Sequence, residues 1–154
     1  MNDIPATARL LDLAPHPEGG WFRRCYTSPV TVEHPGAAPG AGATRPTATL
    51  IHYLLPPGEE SAWHTVGSDE VWLWRRGGRL TLVTADPGPV PGAEHRQVLG
   101  PGIEHGELLQ ALVPAGHWQR AEPVDDAEVL VSCLVTPGFD FADFTLLEEP
   151  PEAR

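Results

Sequence analysis

The stretch S-A-W-H-T-V-G-S-D-E-V-W, Ser61 to Trp72, sets the reading of the whole chain. Two runs rich in β-branched and aromatic residues flank a Gly67-Ser68 turn, and such runs favour extended backbone. In a strand, successive side chains point to opposite faces. That rule puts His64 and Val66 on one face of the first run, with Trp63 and Thr65 on the other. Beyond the turn it puts Glu70, Trp72 and Trp74 on one face, and Val71 and Leu73 on the opposite one. Folded as a hairpin, the stretch brings His64 and Glu70 together on its concave side, with Trp72 beside them.

The same pattern continues outward. W-F-R-R-C-Y, T-A-T-L-I-H-Y-L-L, R-L-T-L-V-T, H-R-Q-V-L, L-L-Q-A-L-V, E-V-L-V-S-C-L-V and F-T-L-L read as strands, separated by turn sequences such as P-P-G-E-E, R-G-G and P-A-G. Strands at this spacing predict an antiparallel sandwich or barrel, so the fold class is all-β. A short helix is expected over Thr7 to Leu13, with Leu10, Leu11 and Leu13 as its apolar stripe and Pro15 as its stop. E-H-P-G-A-A-P-G-A-G-A-T-R-P is a flexible loop by composition. One domain over residues 1–148 with a frayed tail at 149–154 is the expected organisation for 154 residues.

Composition excludes several functions. The formal charge of −11, from 21 acidic residues against 10 arginines, argues against nucleic-acid binding, which needs a basic face. No apolar run reaches the ~20 residues of a membrane span, and the first residues lack the features of a signal peptide. Cys25 and Cys133 are too few for a disulfide scaffold and lie in apolar strand-like runs. A cytoplasmic protein with two reduced, structural cysteines is the expectation.

Two spacings then narrow the fold. Gly58, His64, Glu70 and Gly77 stand in register with the first cupin motif, with Val66 at the position of its second histidine. P-A-G-H-W-Q resembles the second cupin motif, with Pro114 and Gly116 matching and Gln119 where a ligand histidine would stand. Together with A-P-H-P-E-G-G-W-F near the start and P-G-F-D-F-A-D-F near the end, these stretches resemble the cupin-5 branch of the cupin superfamily, from about Leu10 to Leu147. The resemblance implies a cupin-type double-stranded β-helix, a jelly-roll barrel with its site inside, usually homodimeric. In fold the branch is similar to deoxysugar-nucleotide epimerases, which pair a histidine with an acid and use no metal.

Three chemistries follow for a small-molecule substrate. In the first, an isomerase or epimerase, His64 is the base or acid and Glu70 orients it and stabilises its charged form. Trp72 then walls the site, Gln119 donates a hydrogen bond to substrate, and the substrate is a sugar nucleotide or another carbonyl compound. In the second, a divalent metal is held by His64, Glu70 and Gln119, with water or His117 completing the set. Valine cannot coordinate, and a glutamine oxygen is a neutral ligand suited to hard cations. In the third, the barrel binds a small molecule without catalysis. The cofactor is therefore none, or one divalent ion.

Four further positions are candidates. Glu18 lies in the H-P-E-G-G element, where two glycines permit a tight turn: the element is either a structural turn alone or one that points Glu18 into the barrel mouth as a substrate contact. His52 or its neighbour Tyr53, of opposite parity, faces the lumen. Of Arg23 and Arg24, at most one enters the barrel; Arg24 is the candidate substrate contact, an arginine being a natural anion anchor, and an exposed edge-strand charge is the alternative reading of both. His34, His95 and His105 lie in polar or Gly/Pro-rich surroundings and read as surface residues.

Overall fold

β-branched and aromatic runs become strands throughout the computed structural model, which describes residues 3–34 and 44–148. The elements in chain order are α1 (Ala6–Leu11), β1 (Ala14–Pro15), β2 (Trp21–Thr27), β3 (Thr31–Glu33), β4 (Thr44–Pro46), β5 (Thr49–Leu55), β6 (Ser61–Val66) and β7 (Asp69–Gly77). They continue with β8 (Leu80–Ala85), β9 (Glu94–Leu99), β10 (Gln110–Val113), β11 (Trp118–Pro123), β12 (Val129–Thr136) and β13 (Phe144–Leu146). The expected tail and most of the expected loop lie outside the described residues.

Two antiparallel sheets face each other as a jelly-roll barrel. One has six strands in the order β1-β2-β5-β12-β7-β10, the other five in the order β13-β6-β11-β8-β9; β3 and β4 pair separately. This corrects one expectation. Ser61 to Trp72 is not a hairpin, because β6 pairs with β11 and β13 while β7 pairs with β12 and β10. The Gly67-Ser68 turn carries the chain from one sheet to the other, and the Gly67 N–H donates to the Asp143 carbonyl at 3.0 Å. Alternation holds from Trp63 to Val66 and from Asp69 to Leu73, so His64 and Glu70 both point inward. A register shift against β11 breaks it between Ser61 and His64.

The inward faces fill one end of the barrel with side chains. Tyr53, Leu55, Trp72, Leu82, Val113 and Val131 belong to one cluster, each no more than 1% exposed. Burying a side chain of this size contributes about 1.5–3 kcal/mol relative to leaving it in water. A second, smaller cluster lies outside the six-stranded sheet, where Ala8 and Leu13 cover Leu54, with Leu11, Trp21 and Leu130 around them. The helix is shorter than expected: Asp12 adopts a left-handed conformation (φ 57°) and ends it before Pro15. Leu10, expected in the apolar stripe, is 82% exposed; Thr7 and Ala8 are the buried helical positions. Among the described residues, no helix is long and apolar enough to cross a membrane.

Candidate functional site

The other end of the barrel is open. A cavity of about 300 Å³ lies there, with His64, Glu18, Glu70 and His16 among its lining, apolar walls of Ile51, Val66 and Val135, and Arg24 beside them. The sequence-predicted residues His64, Glu70, Glu18 and Arg24 are thus brought together around one space.

Glu18 reaches it through backbone geometry. His16 to Gly20 form a turn in which the Gly19 N–H donates to the His16 carbonyl (3.0 Å) and the His16 N–H to the Gly20 carbonyl (2.9 Å). Gly19 and Gly20 have φ of 105° and 73°. A Cβ on Gly19 would collide with the Glu60 carbonyl, and one on Gly20 would lie 2.7 Å from the Leu54 carbonyl oxygen. Only glycine fits this left-handed, crowded path. The Glu18 carboxylate then meets His64, Oε2 to Nε2, at 2.8 Å, with side-chain exposures of 7% and 2%. One peptide neighbour serves both residues. The Ala62 N–H donates to the Glu18 carbonyl at 2.7 Å, and the Ala62 carbonyl binds His64 Nδ1 at 2.7 Å.

With an acceptor at each ring nitrogen, His64 is held as the imidazolium. Burial alone would lower its pKa, but the charge and hydrogen bond of Glu18, the charge of Glu70 and the Ala62 carbonyl together raise it. Glu18 is the mirror case: burial pushes its pKa up, and His64 and His16 bring it below the ordinary value. His16 accepts the Glu18 N–H at Nδ1 (3.1 Å), and burial lowers its pKa despite the nearby Glu18 charge. It is therefore the neutral member of the group.

The expectation that Glu70 holds His64 is corrected here: the direct partner is Glu18. Glu70 accepts a hydrogen bond at Oε1 from Gln119 Nε2 (2.8 Å), and Gln119 Oε1 accepts from Trp72 Nε1 (2.8 Å). Burial and then the charge of Glu18 push the Glu70 pKa up to about 7, against the opposing pull of His64 and Gln119. Gln119 and Trp72 each face inward as alternation requires, but both lie below the cavity lining, 1% exposed. Neither is free to meet a ligand. They form a relay that fixes Glu70.

His52 is also corrected. Tyr53 and Ile51 take the inward parity, and the Tyr53 hydroxyl donates to the Gly19 carbonyl at 2.6 Å, so His52 faces outward between Arg23 and Ser132. A register shift in β2 after Arg24 accompanies the arginine split. Arg23 turns to the Leu11 carbonyl (3.4 Å), while Arg24 lines the cavity and donates to the Phe139 carbonyl (2.8 Å). His34, read as a surface residue, is 7% exposed, with Nε2 at 3.0 Å from the Gly67 carbonyl. His117 lies outside the cavity lining.

Sequence reasoning missed the aromatic wall. Phe22, Phe139, Phe141 and Phe144 line the cavity, the last three from a segment that crosses its mouth. Their rings meet edge to face: Phe139 and Phe141 at 4.9 Å and 84°, Phe141 and Phe144 at 5.9 Å and 79°. Asp143, in the 3-10 turn Phe141–Asp143, clamps this segment. Its carboxylate accepts from Arg45 Nε at 2.8 Å and Nη2 at 3.0 Å. The signal was the aromatic spacing in F-D-F-A-D-F, which follows no strand period.

The family model described as Cupin superfamily (DUF985) matches residues 6–147. The chain is a cupin of that family. The uncharacterized protein YML079W of Saccharomyces cerevisiae is 32% identical over all of this chain and 82% of its own length. The crystal structure of protein SO0799 from Shewanella oneidensis superposes with a TM-score of 0.78 at 33% identity, over 95% of this chain and 85% of that one. A hypothetical protein from Leishmania major superposes with a TM-score of 0.77 at 32% identity, over 90% and 83% of the two chains. The two solved structures share the fold.

Metal ligation is the chemistry many cupins are expected to use, and the donors in this cupin do not suit it. His64 is engaged at both ring nitrogens and Gln119 at both ends of its amide. Val66, at the position of a ligand histidine, is part of the apolar wall. Among the described residues, no group of three or more His, Cys, Asp and Glu side chains is placed to hold a metal ion. The set His64, Glu70 and Gln119 is therefore a hydrogen-bonding set.

Proposed function

We propose that this cupin binds a small carbonyl compound in its barrel and moves a proton on the carbon next to the carbonyl, as isomerases and epimerases do. The observation that carries the reading is the buried His64–Glu18 pair, 2.8 Å apart, in the same cavity as Glu70. With both ring N–H groups engaged, the imidazolium offers its positive charge, not a hydrogen bond, to an oxygen that becomes negative. Glu70, titrating at about 7, supplies carboxylate at neutral pH to accept a proton from carbon. In the forward step Glu70 takes the α-proton, the C–H electron pair moves into the enolate, and His64 stabilises the enolate oxygen. In the return step the proton on Glu70 goes to a carbon of the enolate. No atom is gained or lost, so the product is an isomer or epimer of the substrate.

The test is proton exchange in D2O followed by NMR, with ketose phosphates, a 4-keto sugar nucleotide and 2-oxo acids as probes. Loss of an α-proton faster than in buffer is expected, and it should fall about a hundredfold or more in His64→Ala and in Glu70→Gln. Exchange that survives His64→Ala removes the assignment. Binding without exchange for every probe leaves a non-catalytic binding cupin.

We also infer a homodimer, as expected of the family, formed through the outer face of the six-stranded sheet. Tyr26, Leu50, Leu134, Val71 and Leu112 are register neighbours across it, and Tyr26 and Leu112 are 51% and 54% exposed. An apolar row of this kind is a surface for association.

A further inference from the structure

We propose that the ligand class of this cavity is the aryl-substituted 2-oxo acid: an aromatic ring, an enolisable ketone and one carboxylate. The inference rests on the proton-transfer reading only for what happens after binding; three features of the cavity carry the ligand class itself.

The first is Arg24. Of the nine arginines among the described residues, Arg45, Arg79, Arg96 and Arg120 pair with acids and five do not; of those five, Arg24 alone lines the cavity. Among the described residues, Arg24 has no carboxylate within ion-pair distance, and its one hydrogen bond goes to the Phe139 carbonyl. Arg24 is an exposed side chain at the cavity lining, and a planar guanidinium fork matches a carboxylate with two parallel hydrogen bonds. One such cation matches a monoanion better than a diphosphate.

The second is the wall. Phe139, Phe141 and Phe144 present a herringbone of faces and edges, with Phe22 set edge-on to His16 at 4.5 Å, the arrangement into which a further aromatic ring packs by edge-to-face contact. Ile51, Val66 and Val135 complete it. The third is what the wall lacks. Thr49, the one hydroxyl side chain of the lining, already accepts the Phe139 N–H at 2.9 Å. A sugar ring would set several hydroxyls against phenylalanine, isoleucine and valine, and each left without a partner costs about 1–3 kcal/mol. A ring with no hydroxyls incurs no such cost. The carbonyl then belongs at the polar end with His64 and Glu70.

Phenylpyruvate is the probe, measured by titration calorimetry and by NMR exchange at its C3 protons. Three comparators separate its parts: 3-phenylpropanoate lacks the ketone, 4-phenylbutan-2-one lacks the carboxylate, and thymidine diphosphoglucose carries sugar and diphosphate. Phenylpyruvate and 3-phenylpropanoate should bind within about tenfold of each other, and the neutral ketone and the sugar nucleotide at least ~10-fold more weakly. Arg24→Gln should weaken both acids about tenfold or more, leave the neutral ketone unchanged and keep the melting temperature; Arg24→Lys should restore part of the loss.

Equal binding of the neutral ketone, indifference of the acids to Arg24→Gln, tighter binding of the sugar nucleotide, or no binding of phenylpyruvate at millimolar concentration would each overturn the ligand class. The expected binding pattern without C3 exchange would leave the ligand class standing and overturn proton transfer. Exchange on another carbonyl compound with no binding of phenylpyruvate would do the reverse.

Discussion

Two acid–base pairs are buried in this barrel at the same distance, and they are built for different purposes. Arg45 and Asp143 meet at 2.8 Å with side chains 3% and 2% exposed; His64 and Glu18 meet at 2.8 Å with 2% and 7%. The guanidinium keeps its charge at any ordinary pH, so the first pair is a fixed clamp on the segment that carries Phe141 and Phe144. The imidazole can lose its proton, so the second pair exists as a charged pair only over a range of pH. A permanent charge holds the mouth of the cavity, and a titratable one is kept at its polar end.

The sharpest way to break this distinction is to remove one acid from each pair. Asp143→Ala leaves a buried guanidinium that cannot become neutral, and the melting temperature should fall by roughly ten degrees in a calorimetric scan. Glu18→Ala leaves an imidazole that can shed its proton and still donate from Nδ1 to Ala62, so its fall should be clearly smaller. Equal falls would mean that fixed and titratable pairs are not different here.

Glu70→Gln should give the next largest effect, and in the opposite direction. A carboxyl raised from an ordinary 4.5 to about 7 in the folded protein costs nothing where both states are protonated. The cost grows as pH rises from 4.5 through 7 and levels off at about 3 kcal/mol. The amide is never charged and still accepts from Gln119. Urea unfolding should therefore find Glu70→Gln more stable than the parent by up to about 3 kcal/mol at pH 8.5, and nearly equal to it at pH 4. A gain independent of pH would show that Glu70 is not the buried acid described above.

Glu18→Gln should cost less, about 1–2 kcal/mol, and only in a window. The raised pKa of His64 contributes stability fully below its ordinary value of 6.5, lost as pH rises through the folded value. The lowered pKa of Glu18 contributes stability above its ordinary value of 4.5, lost as pH falls through the folded value. The difference between Glu18→Gln and the parent should thus be greatest between pH 4.5 and 6.5. The smallest effect on folding is expected for Leu112→Glu, at a position 54% exposed. It should move the melting temperature little while halving the sedimenting mass, and an unchanged mass would remove the proposed dimer face.

Period-two alternation made the inward positions of His64, Glu70, Trp72 and Gln119 legible, because it is a property of each strand alone. It could not say which sheet a strand joins, so a turn between sheets looked like a hairpin. Nor could it say how deep along the barrel a residue lies, so Trp72 and Gln119 were expected at the ligand and are found beneath it. Parity of β5 needed the register with β2 and β12, which put Tyr53 inward and His52 outward. Glu18 was legible as a candidate through its glycines, but its meeting with His64 depends on the backbone bond from Ala62, which no local pattern reveals. The phenylalanines stand on irregular chain, where no period marks a face.

That bond to Ala62 has a practical consequence. Both halves of the His64–Glu18 pair are set by the main chain of residue 62, while its side chain points to solvent. A cysteine at position 62, in a chain with the exposed Cys25 changed to serine, would carry a fluorescent label two residues from His64 without altering what holds it. The cupin can in this way be turned into its own reporter of ligand entry.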